Sequence, residues 1–100
     1  MDIKKTQNGN ETTFALSGKL DSITAPRFEE ELIKEFDAAK CVILDLGEIA
    51  YVSSAGLRVL LAGEKTAKAK GCIQTLINIS DDVMEVFEMT GFSGVLHITK

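Results

Sequence analysis

Two adjacent serines, Ser53 and Ser54, are the residues of this chain best placed to do chemistry. They stand where a long helix-forming segment begins. A serine hydroxyl at such a position normally accepts a hydrogen bond from the first turn of the helix. A helix N-cap uses one serine hydroxyl, so the hydroxyl of the second serine is left without that role. The free N–H groups and positive dipole at the helix end would favour a phosphate on the spare hydroxyl. On local grounds the simpler interpretation of the pair is a helix N-cap, and the alternative is a phosphorylation switch at the surface that leaves the fold unchanged.

Gly56 lies inside the first turn of the same helix. Glycine costs about 1 kcal/mol there relative to alanine, so its presence needs a reason. The missing side chain predicts a place where another molecule can approach the backbone beside the serines.

Catalysis finds little support in the sequence. His97 is the only histidine and lies close to the last residue, where a strand histidine is the simpler interpretation. Neither serine belongs to a G-x-S-x-G elbow, and no G-x-x-x-x-G-K-[ST] phosphate loop is present. Without a C-x-x-C pair or a second histidine, a metal site is not expected. The residues predict a protein that acts by binding, with no cofactor.

Composition limits the class of protein further. The chain has 100 residues, 45% of them apolar and 26% charged, which predicts one globular domain over residues 1–100. Eleven basic against fifteen acidic residues give a net charge of −4, which argues against nucleic acid as a partner. The apolar runs are too short to insert in a membrane. Cys41 and Cys72 predict buried thiols in a reducing cytoplasm.

The elements that position the serines follow the order β-β-α-β-α-β-α-β. Alternating strands and helices predict an α/β domain with a mixed, mostly parallel sheet, an N-terminal antiparallel hairpin and helices packed on it. Residues 41–46 form an apolar run without alternation, which is typical of a parallel strand covered on both faces. Periodicity alone leaves open whether the helices cover one face of the sheet or both. The predicted strands are residues 3–5, 12–17, 41–46, 73–79 and 95–98.

Three helices are predicted between these strands. The first is capped by Thr24, and the second runs from Ser53 or Ser54 to about Lys70, where Gly71 stops it. The third runs from residue 80 or 81 to Gly91, and residues 47–52 are predicted to be a loop. One apolar face of the first helix is formed by Ala25, Phe28, Leu32, Phe36 and Ala39.

Three stretches resemble the STAS domain family, specifically the bacterial anti-sigma factor antagonists. The stretch "LDLGEIAYVSSAGLRVLLAGEKTAKAKG" is similar to the family's central strand, serine segment and second helix. The stretch "FALSGKLDSITAPRFEEEL" resembles its Gly-x-Leu-Asp turn and first helix, and "MEVFEMTGFSGVLHI" resembles its closing helix and strand. Together the three cover nearly the whole chain in the family's order.

The resemblance implies a regulatory cycle. Family members bind a serine kinase that is also an anti-sigma factor, and so free the sigma factor. The kinase phosphorylates the antagonist, which ends binding, and a phosphatase resets it. Ser54 matches the phosphorylated serine and Asp21 matches an acidic position in a nearby loop. This sequence departs from the family at two positions, because Ser53 stands where the family has Asp and Ala55 follows Ser54. Modification of Ser53, or of neither serine, therefore remains the alternative.

The resemblance also implies the partners, a GHKL-type kinase with anti-sigma activity and a PP2C-type phosphatase. An alternative is a STAS subunit of a lipid or solute transporter complex, which would dock without a phosphate cycle. The residues expected to bind the partner are Asp21, Ser22, Ser53, Ser54, Gly56, Leu57 and Arg58.

Overall fold

A four-stranded mixed sheet forms the centre of the computed structural model, which describes residues 1–99. The first two strands make an antiparallel hairpin, and the third and fourth strands join it in parallel. This arrangement confirms the predicted fold class. In spatial order the strands are β1 (Asp2–Asn8), β2 (Glu11–Leu20), β3 (Cys41–Val52) and β4 (Ile73–Ile77).

Three helices connect and follow the parallel strands. They are α1 (Ala25–Glu35), α2 (Ser54–Lys70) and α3 (Asp81–Thr90), with a short 3₁₀ turn at Phe92–Gly94. The second helix ends as predicted at Gly71, whose φ of 71° is the left-handed conformation that glycine adopts without strain.

The core lies between α1, α2 and one face of the sheet. Phe14, Leu44 and Leu76 stand side by side in register on neighbouring strands, and each is at most 1% exposed. From α1, the Phe28 ring meets Phe14 edge-on at a centroid distance of 5.9 Å. Burial of these side chains is the main force that holds the helices on the sheet.

The opposite face of the sheet carries no helix comparable to α1 and α2 among the described residues. Ile43 and Thr75 face that side and are only partly buried. The prediction that residues 41–46 are covered on both faces is therefore wrong. The two connections that contain α1 and α2 pass over the same face of the sheet. On that face the Thr12 hydroxyl of β2 donates to Glu35 of α1, and the Gln74 side chain of β4 donates to the Leu60 carbonyl of α2 at 3.0 Å.

The prediction that residues 47–52 form a loop is also wrong, because these residues continue β3. Leu20 pairs with Val52, and the register shifts between Ala15 and Ser17 and between Gly18 and Lys19. These irregularities break the period-2 pattern that identifies strands in a sequence. The paired ends of β2 and β3 therefore form a long two-stranded arm, and α2 begins directly after it.

The last two predicted strands are shorter than expected. The strand predicted at 73–79 ends at Ile77, because Asn78 takes a φ of 57°. The strand predicted at 95–98 is reduced to one parallel bridge, between Leu76 and Ile98.

The two cysteines, which were predicted to be buried, are free and only partly buried. The pKa of the Cys41 thiol lies above its ordinary value. Burial is the larger cause, and the negative charge of Glu11 is the smaller one. The Cys72 sulfur lies 3.4 Å from the carbonyl oxygen of Ala39. The raised pKa favours the protonated, less reactive thiol at Cys41.

A buried carboxylate, Glu35, joins α1 to the first hairpin. Its side chain is 5% exposed and accepts from the Thr12 hydroxyl at 2.6 Å and from the Lys5 ammonium group at 2.6 Å. A third donor is the Gln7 amide, at 3.3 Å. Burial alone would raise the pKa of Glu35, but the three donors outweigh it and hold the pKa below its ordinary value of 4.5.

We expect Glu35→Gln to lower the free energy of unfolding by about 1–3 kcal/mol at neutral pH, because it removes the charge that these donors satisfy. A depressed folded pKa stabilises the protein above the unfolded pKa, and that stabilisation is lost as the pH falls through the folded pKa. The cost of Glu35→Gln should therefore shrink below about pH 4.5. Urea melts at several pH values measure it. The exposed Glu29→Gln is the control, and an equal cost of Glu35→Gln at acid and neutral pH would refute the assignment.

Candidate partner-binding site

The arm formed by β2 and β3 brings two segments of the chain together at the start of α2. The amide of Ser53 donates to the carbonyl of Leu20 at 2.9 Å, immediately before the turn that leads into α1. The residues after β2 and the first turn of α2 therefore lie beside each other, as the resemblance implied for Asp21 and the serines.

The two serines have different environments. Ser53 is the N-cap of α2, where its hydroxyl accepts from the amide of Gly56 at 3.3 Å. Ser54 is the first helical residue and is exposed. The cap thus occupies the Ser53 hydroxyl and leaves the Ser54 hydroxyl facing solvent at the helix N-terminus.

Gly56 is buried, and this corrects the interpretation that it opens the backbone to another molecule. A Cβ at this position would lie 2.6 Å from the carbonyl oxygen of Leu20 and 3.0 Å from Cγ1 of Val52. Glycine is therefore required for α2 to approach the arm closely. Leu57 is 6% exposed and packs in the core. Neither residue offers a side chain to a partner, although both were expected on the contact surface.

Asp21 organises the turn between β2 and α1. One of its carboxylate oxygens accepts from the amides of Ile23 and Thr24 at 3.0 and 3.1 Å. These backbone hydrogen bonds lower the pKa of the Asp21 carboxyl below its ordinary value, and the bond from Thr24 has the largest effect. The predicted cap, Thr24, makes no side-chain capping bond and instead donates to the carbonyl of Lys19.

Two exposed apolar side chains lie in the 20–24 and 47–54 segments, which were expected on the contact surface, although neither residue was named as a binding residue. Ile23 is 85% exposed and Tyr51 is 52% exposed. Tyr51 pairs with Lys19 in the arm, close to the turn that carries Ile23. Ile23 lies between polar residues and does not belong to the apolar face of α1. This isolated position is the sequence feature that could have indicated its exposure. We call Ser22, Ile23, Tyr51, Ser54 and Arg58 the Ser54 surface; all five are exposed.

The electrostatics of the Ser54 surface favour an anion at Ser54. The first turn of α2 has no acidic residue. Arg58 is exposed and stands four residues after Ser54, on the same side of the helix. Ser54 thus lies at the positive end of the helix dipole and one helical turn before a residue that carries a guanidinium group.

Two other kinds of site are not found within residues 1–99. No group of three or more His, Cys, Asp or Glu side chains there could hold a metal ion. No helix in this part of the chain is long and apolar enough to cross a membrane.

A mixed sheet with α1 and α2 on one face and an exposed serine at the start of α2 define a small α/β domain. The profile of the STAS domain family matches residues 2–100. The chain belongs to the STAS domain family, as its sequence motifs indicated.

The curated relatives of this chain are regulatory proteins. BtrV of Bordetella bronchiseptica, whose name places it among anti-sigma factor antagonists, is 37% identical over 84 residues, covering 83% of this chain and 72% of BtrV. The anti-sigma-B factor antagonist of Bacillus subtilis is 27% identical over 99 residues, covering 99% of this chain and 89% of that protein.

Solved structures share the fold at low sequence identity. Protein tm1081 of Thermotoga maritima superimposes with a TM-score of 0.90 at 17% identity, covering 98% of this chain and 86% of tm1081. The Bacillus cell fate determinant SpoIIAA in its phosphorylated form gives 0.78 at 16% identity, covering 99% and 92%. A sulfate transporter family protein of Wolinella succinogenes gives 0.81 at 18% identity, covering 94% and 80%.

Proposed function

We propose that this protein is an anti-sigma factor antagonist that binds an anti-sigma factor through the Ser54 surface. The names of BtrV and of the Bacillus subtilis relative, which matches 99% of this chain, support this assignment. The observation that carries the proposal is the spare hydroxyl of Ser54, exposed beside a serine that already caps the helix.

The proposed interface has an apolar component and a polar centre. Ile23 and Tyr51 would be buried against the anti-sigma factor, since large apolar and aromatic side chains supply most of the binding energy in protein interfaces. Ser54 would lie between them and the helix face that carries Arg58. Because Gly56 and Leu57 are buried, they support the position of this surface and do not touch the partner.

Phosphorylation of Ser54 is the proposed off-switch. A phosphate adds about 1.5 to 2 negative charges and three acceptor oxygens. The free N–H groups of α2 and the guanidinium of Arg58 can stabilise these charges in the free protein. In the complex, the same charges would be pressed against a surface that fits a neutral hydroxyl. Phosphorylation should therefore favour the unbound state.

Two enzymes would act on this chain, which itself would act by binding and not as an enzyme. A GHKL-type kinase would be both the anti-sigma factor and the source of the phosphate. A PP2C-type phosphatase would remove the phosphate from Ser54 and restore binding. The cycle belongs in the cytoplasm, where the free thiols Cys41 and Cys72 remain reduced.

A transporter subunit is the second candidate, because the fold is shared with a sulfate transporter family protein. In that case the Ser54 surface would dock permanently on a transporter ATPase. The names of the sequence relatives favour the antagonist, while the structural match at 18% identity concerns the fold alone.

The experiment that tests the proposal is phosphate transfer from the kinase captured by this protein, with the modified residue located by mass spectrometry. We expect phosphate on Ser54, its loss in Ser54→Ala and its retention in Ser53→Ala. The Ser53→Ala variant loses the helix cap, at a cost of about 1 kcal/mol, and so controls for local destabilisation.

The opposite pattern would assign the switch to Ser53. If no kinase is captured and neither serine is modified, while a transporter ATPase binds, the transporter interpretation replaces the antagonist.

A further inference from the structure

The turn of the first hairpin carries a reactive pair of residues that plays no part in the Ser54 surface. β1 ends at Asn8 and β2 begins at Glu11, and these two residues pair across the hairpin. Gly9 and Asn10 form the turn between them. Gly9 takes a φ of 65°, which glycine adopts without strain. Asn8 is the only asparagine of this chain that is followed by glycine.

Both members of this pair are open to water. Asn8 and Gly9 are exposed. A Cβ built on Gly9 would meet no atom within 4 Å, so nothing crowds the backbone beside the asparagine. Within residues 1–99, the amide nitrogen of Gly9 forms no turn or loop hydrogen bond with another backbone group. That nitrogen is therefore free to lose its proton and to act as a nucleophile.

The nearest electrophile is the side-chain carboxamide of Asn8, and glycine has no side chain that hinders attack on it. The deprotonated amide nitrogen of Gly9 forms a bond to Cγ of Asn8. The bond from Cγ to Nδ2 breaks, and the nitrogen takes up a proton and leaves as ammonia. Water then opens the cyclic succinimide at one of its two carbonyl groups. The product is aspartate or isoaspartate in place of Asn8.

The two other asparagines of the chain are less suited to this reaction. Asn10 is exposed in the same turn but precedes Glu11, whose side chain hinders attack by the backbone nitrogen. Asn78 precedes the β-branched Ile79, and its side-chain amide donates to the carboxylate of Asp45 at 3.2 Å. Because Asn10 shares the turn and its exposure, it isolates the effect of the following residue.

The products would weaken the pairing of β1 with β2. Aspartate places a second carboxylate opposite Glu11, and like charges in facing positions destabilise a strand pair. Isoaspartate also adds one methylene group to the main chain, which displaces the groups that pair with Glu11. The preceding residues Gln7 and Lys5 bind the buried carboxylate of Glu35, at 3.3 and 2.6 Å. Because β1 is an edge strand with one neighbour, the damage should extend along it.

We propose that Asn8 is a site of spontaneous deamidation in the folded protein, and that the isoaspartate product loosens β1 from the sheet. The reaction consumes water, releases ammonia and needs no enzyme. It begins at the end of β2 that lies away from Ser54, because β2 starts at Glu11 and reaches the arm at Leu20.

The test is incubation of the whole folded chain in mildly alkaline buffer, followed by mass spectrometry with fragmentation that distinguishes isoaspartate from aspartate. Asn8 should lose its amide at least about tenfold faster than Asn10, which corresponds to a barrier lower by about 1.4 kcal/mol. The rate should rise with pH, because the nucleophile is the deprotonated amide. Asn8→Gln should remove the reaction at this position, since its longer side chain forms the ring far more slowly. Equal rates at Asn8 and Asn10, or conversion of Asn8 only in urea, would overturn the proposal.

Hydrogen exchange tests the structural consequence. The isoaspartate form is separated by chromatography and compared with freshly prepared Asn8→Asp, which carries the same charge on a normal main chain. We expect faster amide exchange in β1 of the isoaspartate form, while α2 exchanges as in the parent. Equal protection of β1 in the two forms would refute the loosening of this strand. Because Ser54 takes no part in these readouts, failure here leaves the antagonist assignment standing.

Discussion

Ser54→Asp is expected to weaken binding to the anti-sigma factor by about a thousandfold, while Ser54→Ala binds like the parent. The aspartate places a charge in an interface that fits a neutral hydroxyl, and like-charge or unpaired contacts there cost several kcal/mol. A loss of about 4 kcal/mol corresponds to that change in affinity. The alanine removes only an exposed hydroxyl that makes no hydrogen bond to the rest of the described chain. Titration calorimetry of each variant with the partner gives the ratio.

The fold should be unaffected by Ser54→Asp. A negative charge at the first position of α2 interacts favourably with the helix dipole, by about 0.3–1 kcal/mol. Asn8→Asp adds the same charge at the turn of the first hairpin, at the opposite end of β2. It should bind like the parent. If both aspartate variants lose affinity equally, net charge and not the position of Ser54 controls binding.

Phe36→Ala is expected to lower the free energy of unfolding by about 3–5 kcal/mol, the usual cost of truncating a buried phenylalanine. Phe36 is 3% exposed at the end of α1 and belongs to the central apolar cluster. The loss is a large share of the total stability of about 5–15 kcal/mol that a domain normally has. Urea denaturation measures it directly.

Met89→Ala provides the matched comparison, because Met89 is 79% exposed on α3. Its effect should stay within about 0.5 kcal/mol, as for most surface positions. A loss below about 1 kcal/mol for Phe36→Ala would mean that its burial contributes far less than such sites normally do.

The sequence predicted the core well wherever one periodicity ran unbroken. Phe28 and Leu32 recur at helical spacing, and both are fully buried. Prediction failed at the end of β2 and in the second half of β3, because the irregular pairing near Gly18 removes the alternation that marks a strand. Tertiary pairing, which local patterns do not contain, holds residues 47–52 in the sheet.

The candidate site was predicted in part. A helix cap needs only one hydroxyl, so the sequence indicated that one of the two serines is free. The structure shows which one, because Ser53 caps α2 and Ser54 is exposed. The role of Gly56 could not be predicted, because it depends on the Leu20 carbonyl, 36 positions earlier in the sequence. The exposure of the Ile23 and Tyr51 side chains could not be predicted, because exposure of an apolar residue depends on the packing around it.

The most direct test of the central claim compares one protein in two covalent states. The chain is phosphorylated on Ser54 by its kinase, separated from the unmodified form, and each form is titrated calorimetrically with the anti-sigma factor. We predict tight binding of the unmodified form, a loss of about a thousandfold on phosphorylation, and recovery after treatment with a PP2C-type phosphatase. Equal affinity of the two forms would contradict the account.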